Sequence, residues 1–537
     1  MAYREVGRRH CPRTDHYGYD RYGHCHFLVR RNLLLRNSDA GVRVIVSPGF
    51  LFGKSSPRTL YVSKSTGNDA NDGSEATPWQ TIAKLNATRF YPGDTIRLKK
   101  GDTWTGEEFL PLGNGLYNAS AFASAFTSTL ATQTALYTID GTRAAYKAIL
   151  VSNGMTSSAA DPVADAYIGY LARADAIQAG HIAADPVSSW ITLTSYGTGA
   201  RPLIQPGGTI PAAIRWNTHP FTGGWKIRDI NIDSAYISGI VYDLGAGVTP
   251  AAAGLWLEDI HITNCTGQPV KITGFPYPGL IAPYQPFCST GIDVAHVSHI
   301  RMNNIEVDHC DQPIFLWGSQ WAWISGNYWH HAYIEGSIVT GFSPVGYVSP
   351  GIFPGTADSC LIETTEISFT AYAASPSGQG PGFPKGETNF QLAHNTNLII
   401  RVVNSHNCVF RHSDATGIDY EGHSPGFNTP TFMIKDCIVS HNGGPAFLED
   451  DTVSDLATLV IIDNNVLADN SNTNFVNPIM FGGRTIGDPW YFTRNNLARG
   501  NALQKVFGGD ATNPYVPKYD APPVGKLFGP SNVVHFP

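Results

Sequence analysis

From Trp225 onward, apolar and polar residues alternate in short runs, and each run opens on Asn or Asp. Five such segments align: DINIDSAYISGIVYD from Asp229, DIHITNCTGQPVKIT from Asp259, NIEVDHCDQPIFLW from Asn304, NCVFRHSDATGIDYE from Asn407 and DCIVSHNGGPAFLED from Asp436. Weaker copies follow at Asn464 and Asn495. Alternation with a period of two predicts short strands that bury one face. A polar turn and a second short strand follow in each copy. Neighbouring copies start about 30 residues apart, and repetition on that scale predicts a solenoid. The expected fold is therefore all-β, a parallel β-helix. One coil buries little apolar surface by itself, but stacked coils share one core.

The alignment also assigns cysteines. Cys408 and Cys437 fall where other copies carry Ile230, Ile260 and Ile305, so they read as inward-facing thiols. Cys265 and Cys310 coincide at the turn of two copies, as stacked small residues or as a disulfide.

Upstream the pattern changes. Residues 59–107 read as strand, polar turn, short amphipathic helix and strand, an N-terminal cap. Thr77 and Pro78 open the helix, and Ile82 and Leu85 form its buried stripe. The Asn68–Asp72 turn suits either side-chain bonds to its own backbone or a calcium ion. Residues 108–188 are Ala-rich and read as a partly helical insertion. Residues 189–537 read as the β-helix, with a long loop insertion over 320–396. Residues 1–58 are basic and rich in His and Tyr, a leader of unknown status that reads as disordered. They contain no clear signal peptide, and His16, His24 and His26 are a further metal-binding candidate.

Composition agrees with a turn-rich β protein: 55 Gly, 36 Pro and 11% aromatics against 15% charged residues in 537. A net charge of −7 gives no electrostatic case for nucleic acid. No apolar run reaches membrane-spanning length. None of the eight cysteines lies in a C-x-x-C pair, which argues against structural zinc.

The Asn-x-Ile/Val coil starts and the opening YVSKSTGNDANDGSEATPWQTIAKLN…PGDTI resemble the pectate-lyase-like superfamily, from about Tyr61 to the C-terminus. That resemblance implies a right-handed parallel β-helix with a cap and an inserted helical segment. It implies a polysaccharide or oligosaccharide partner and an extracellular or periplasmic location. It also implies a monomer, or a homotrimer under a tailspike-like reading. The superfamily contains hydrolases, lyases, epimerases and tailspikes; neither the pectate lyase arginine motif nor the polygalacturonase carboxylate set is present, so no subfamily mechanism carries over residue by residue.

Candidate chemistry starts from the same alignment. Glu421 and Asp450 fall at one offset in neighbouring copies, so strand stacking of ~4.8 Å would set them side by side. Paired carboxyls suit a glycoside hydrolase, with Glu421 as acid, Asp450 or Asp419 as nucleophile or base, and Glu449 nearby. Asp414, Asp419, Glu421 and Asp450 could instead hold calcium, although no cofactor is required. Trp317, Trp321, Trp323 and Trp329, with His330, read as a sugar-stacking surface or as loop packing. A lyase acting on a uronate would need a base and cations, for which Lys271, Arg411, His412, Lys435 and His441 are candidates. A glycan-binding adhesin is the non-enzymatic alternative.

Overall fold

The computed structural model describes residues 56–117, 119–152 and 156–183, and beyond them the strands and tight corners of each coil more than the longer connections. Residues 1–58 are a separate unit, of which four short antiparallel strands are described: Tyr17–Tyr19, Cys25–Val29, Leu33–Ser38 and Gly41–Val44. The His16, His24 and His26 side chains lie outside the described residues.

Thr59 to the C-terminus builds a parallel β-helix, in which strands of successive coils pair in parallel. Each coil contributes one long strand bent in its middle and one shorter strand. The bend is a residue in the left-handed region: Asp229, Asp259, Asn304, Gly326, Thr364, Val402, Asp436 or Asn464. A left-handed residue breaks the ladder at one point, so Arg228 pairs with Glu258 and Ile230 with Ile260 while the corner between them is skipped. The coil is thus three-faced. Asn and Asp tolerate this conformation best among residues with side chains, and Asn304 Nδ2 donates to Asp259 Oδ1 at 2.7 Å along the corner. A second left-handed corner follows five residues later at Ser234, Asn264, His309, His331 and His441.

Inward positions form aliphatic ladders. Ile227, Leu257 and Met302 make one, and Ile232, Ile262 and Val307 another, all fully buried. Cys265, Cys310 and Cys437 are free and buried, and burial pushes the Cys437 thiol up to about 12. These thiols therefore act as small apolar residues. Cys408 lies outside the described residues, and Val403 stands in its expected place, because Leu398–His406 is the strand that pairs with Cys437's neighbours. That coil turns its first corner at Val402, five residues before Asn407.

The cap helix α1 is Ile82–Asn86, and Thr81 caps it by accepting from the Lys84 amide. In the Asn68–Asp72 turn, the Ala70 amide donates to Asn68 Oδ1 and the Ser74 amide to Asp72 Oδ1, which are turn bonds of the ordinary kind. The Ala-rich insertion forms three helices, α2 (Ala119–Ile139), α3 (Thr142–Ser152) and α4 (Ser157–Ala183). Its ends meet where Leu116–Tyr117 pairs antiparallel with the Val187–Ser189 strand. α2 and α4 cover the outer side of one β-helix face. Phe122, Tyr167 and Ile177 pack there against Trp323, Leu361, Ile399 and Met433. Tyr167 Oη donates to Asp463 Oδ2 at 2.9 Å, and Arg401 Nε donates to Glu363 Oε2 at 2.7 Å beneath the helices.

Candidate functional site

With one face covered by helices, the described chemistry gathers on the next face, between the two corners. Outward positions there are every second residue. Asn231, His261, Glu306, Tyr328 and Glu366 make one row, and Asp233, Thr263, Asp308, His330 and Ser368 the other. Three consecutive coils therefore bring His261, Glu306, Asp308 and His330 together. Glu306 and Asp308 are two apart on the Ser298–Asp308 strand, so both carboxyls point the same way.

Asp308 is the hub. His261 Nε2 lies 2.7 Å from Asp308 Oδ2, and His309 Nδ1 lies 2.6 Å from Oδ1. Thr263 Oγ1 also donates to Oδ1. Burial works to raise this carboxyl, but the bonds from His261, Thr263 and His309 outweigh it and hold Asp308 well below the usual carboxylate range. The same bond raises His261, against a smaller opposing effect of burial. Glu306 sits in a different setting. Its side chain is 46% exposed, against 9% for Asp308, and meets His330 Nε2 at 3.3 Å. The His330 ring stacks on Tyr328 with centroids 3.8 Å apart, and its Nδ1 faces His331 Nδ1. His331 in turn stacks on His309 across the second corner, at 5.3 Å and 6°. Burial, then His330 and His309, lower His331. The arrangement combines one anion fixed in place, one half-exposed carboxyl and several imidazoles in a half-open row.

The sequence-derived candidates distribute as follows. His330 belongs to this cluster. Trp329 is inward, in the same ladder as Ile262 and Val307, and fully buried. Trp323 is 8% exposed under the helical insertion, where its Nε1 donates to Glu363. Trp321 packs against Phe126 at 4.7 Å and Phe122 at 5.7 Å. These three tryptophans fill packing positions, because both the coil interior and the insertion need large apolar groups there. Trp317 lies on a strand of the third face, with its side chain outside the described residues.

The backbone register pairs Glu421 with Asp450 on adjacent strands. Trp317 belongs to the same column, through Thr340 and Ala393. The side chains of Asp419, Glu421, Glu449 and Asp450 lie outside the described residues, as do Lys271, Arg411, His412 and Asp414 entirely. Lys435 is taken up by Asp436 at 2.6 Å, and His441 is a corner residue. His261, Glu306 and Asp308 escaped the sequence reading although their segments were aligned in it. They stand at the second and fourth places after Asp259 and Asn304, the outward positions of the first strand after the corner.

No family model matches the chain, and no curated protein does. Among solved structures it is similar to a GH136 lacto-N-biosidase from Eubacterium ramulus, at 12% identity and a TM-score of 0.47, over 89% of this chain and 68% of that one. It is similar to a rhamnogalacturonan lyase at 12% identity and a TM-score of 0.41, over 88% and 86%. A Streptococcus pneumoniae surface protein and adhesin matches at 10% and 0.31, over 69% and 96%. At such values the function has to be read from the chain's own side chains. Among the described residues no helix is long and apolar enough to cross a membrane.

Proposed function

We propose that this chain is a carbohydrate-active enzyme that hydrolyses glycosidic bonds, with Glu306 and Asp308 as its carboxyl pair. One observation carries the reading. Oxygen atoms of the two carboxyls, with a ring nitrogen of His261, lie within 4.8 Å of one another on one half-open face. Retaining glycosidases hold their carboxyls about 5–5.5 Å apart. In this reading Asp308, fixed by three donors, faces the positive charge that develops at the sugar, and the exposed Glu306 carries the proton to the leaving oxygen. His261 positions Asp308. The two outward rows of polar side chains suit an extended polysaccharide or oligosaccharide laid across successive coils. The protein would act outside the cell or in the periplasm, as a monomer.

The test is a glycan panel followed for reducing ends and for the ultraviolet absorbance of unsaturated uronates. New reducing ends without that absorbance support hydrolysis. Products carrying it support β-elimination, in which an imidazole of this cluster would serve as base. Retention of glycan on the intact protein with no cleavage supports an adhesin.

A second location has its own support. Glu421 and Asp450 are backbone partners on adjacent strands, with Trp317 in the same column, and the same panel run on Glu421→Gln tests it.

A further inference from the structure

We propose that His261, Glu306 and Asp308, with His330 as fourth ligand, form a site for a divalent transition-metal ion of the zinc class. One ligand atom from each of the first three lies within 4.8 Å of the others. His330 Nε2 stands 3.3 Å from Glu306 Oε1 and 3.9 Å from Asp308 Oδ2. Zinc binds imidazole nitrogen and carboxylate oxygen at about 2.0–2.2 Å, which sets tetrahedral ligand atoms roughly 3.4 Å apart. The His330 distances bracket that value. The 2.7 Å contact between His261 and Asp308 is shorter, so the ion takes the place of the proton between them and the pair opens by a few tenths of an ångström. Two imidazoles with two carboxylates suit zinc, or manganese and iron with added waters. Calcium, which takes six to eight oxygens, does not fit this set.

The surroundings hold the ligands as metal sites require. Asp308 binds with Oδ2, while Oδ1 is already held by Thr263 and His309. In the tautomer whose Nδ1–H donates to His331 Nδ1, His330 presents a lone pair at Nε2. Such outer partners fix ring orientation and carboxylate direction. The ligands come from three coils, so the ion would also clamp the stack. Ion and proton compete for the same atoms. Provided that the glycan-cleaving reading holds, zinc therefore inhibits cleavage.

The test is calorimetric titration of the chelator-treated full chain with zinc chloride, in a background of His10→Ala, His16→Ala, His24→Ala and His26→Ala, which removes the N-terminal imidazoles. One equivalent is expected to bind. Loss of an outer partner alone weakens a metal site about 10–100-fold, so His261→Ala and His330→Ala, which remove direct ligands, should each weaken binding by at least that much, and His441→Ala should leave it unchanged. Glu306→Gln, at a half-exposed position, is the variant least able to disturb folding and should weaken it too. Absence of a stoichiometric site, or full affinity in both His261→Ala and His330→Ala, overturns the proposal. Zinc that binds as expected while glycan cleavage continues unchanged leaves the metal site standing and overturns the assignment of cleavage to Glu306 and Asp308.

Discussion

His261 and Asp308 belong to neighbouring coils, and the 2.7 Å contact between His261 Nε2 and Asp308 Oδ2 ties the two coils together at the centre of the polar face. Three donors converge on Asp308, so its replacement leaves all of them without their acceptor. Asp308→Ala is expected to lower unfolding free energy by about 2–4 kcal/mol. Glu306→Gln, two residues away, should stay within about 0.5 kcal/mol. Chemical denaturation of the two variants measures both. Equal losses would mean that Glu306 is a structural residue like its neighbour.

Trp329 distinguishes core from platform. It occupies the inward ladder of Ile262 and Val307. Trp329→Ala should cost about 3–5 kcal/mol through cavity formation. A stable variant with weakened glycan binding would overturn that placement.

The helical insertion should loosen in acid. His181 on α4 and His299 on the β-helix both meet Phe122, at 5.1 and 4.4 Å between ring centroids. Burial lowers His181 to about 4, and burial, then its His181 neighbour, lowers His299 to about 3, from 6.5. The unfolded state therefore takes up protons first. Stability is full above pH 6.5 and falls as pH drops below it, by about 1.4 kcal/mol per group per unit until the folded value is reached. Thermal unfolding at pH 7.5 and pH 5 should show the loss, and His299→Leu should reduce its slope. Melting that is independent of pH over this range would contradict the account.

Val402 holds a left-handed φ of 56° with a branched side chain that is 48% exposed. Left-handed backbone costs a residue with a Cβ about 1–2 kcal/mol, and Asn bears it better. Val402→Asn should raise stability by about 1 kcal/mol in a denaturation experiment. A neutral or negative result would place the corner elsewhere.

Val402 also explains what the sequence reading could and could not reach. The parallel β-helix was legible because its inward rows are nearly continuous Ile, Leu and Val at a period of two, with Asp or Asn at most first corners. The helical insertion was legible from its Ala content. One coil start was misread because Val402 gives no corner signal, whereas Asn407 resembles one, and both corners of a coil favour the same residue types. The register of Glu421 opposite Asp450 survives this slip, because the chain runs 19 places from Val402 to Glu421 but 14 from Asp436 to Asp450, and the extra five residues equal the displacement from Val402 to Asn407. In the coil that starts at Asp259, the second strand is Thr290–Ala295, reached only after a long connection. Trp323 and Trp329 could not be told from a sugar surface, because the partner that covers the first lies far upstream in the chain. The polar cluster was hidden for a related reason. His261, Glu306 and Asp308 are far apart in sequence or look like ordinary outward strand residues, and only stacking makes them neighbours.

The most direct test of the central claim is turnover by Glu306→Gln set beside Glu421→Gln, on whichever glycan the intact protein cleaves. The account predicts a fall in kcat of about 100-fold or more for Glu306→Gln and little change for Glu421→Gln. Full activity in Glu306→Gln with loss in Glu421→Gln would contradict it and move the active site to the third face.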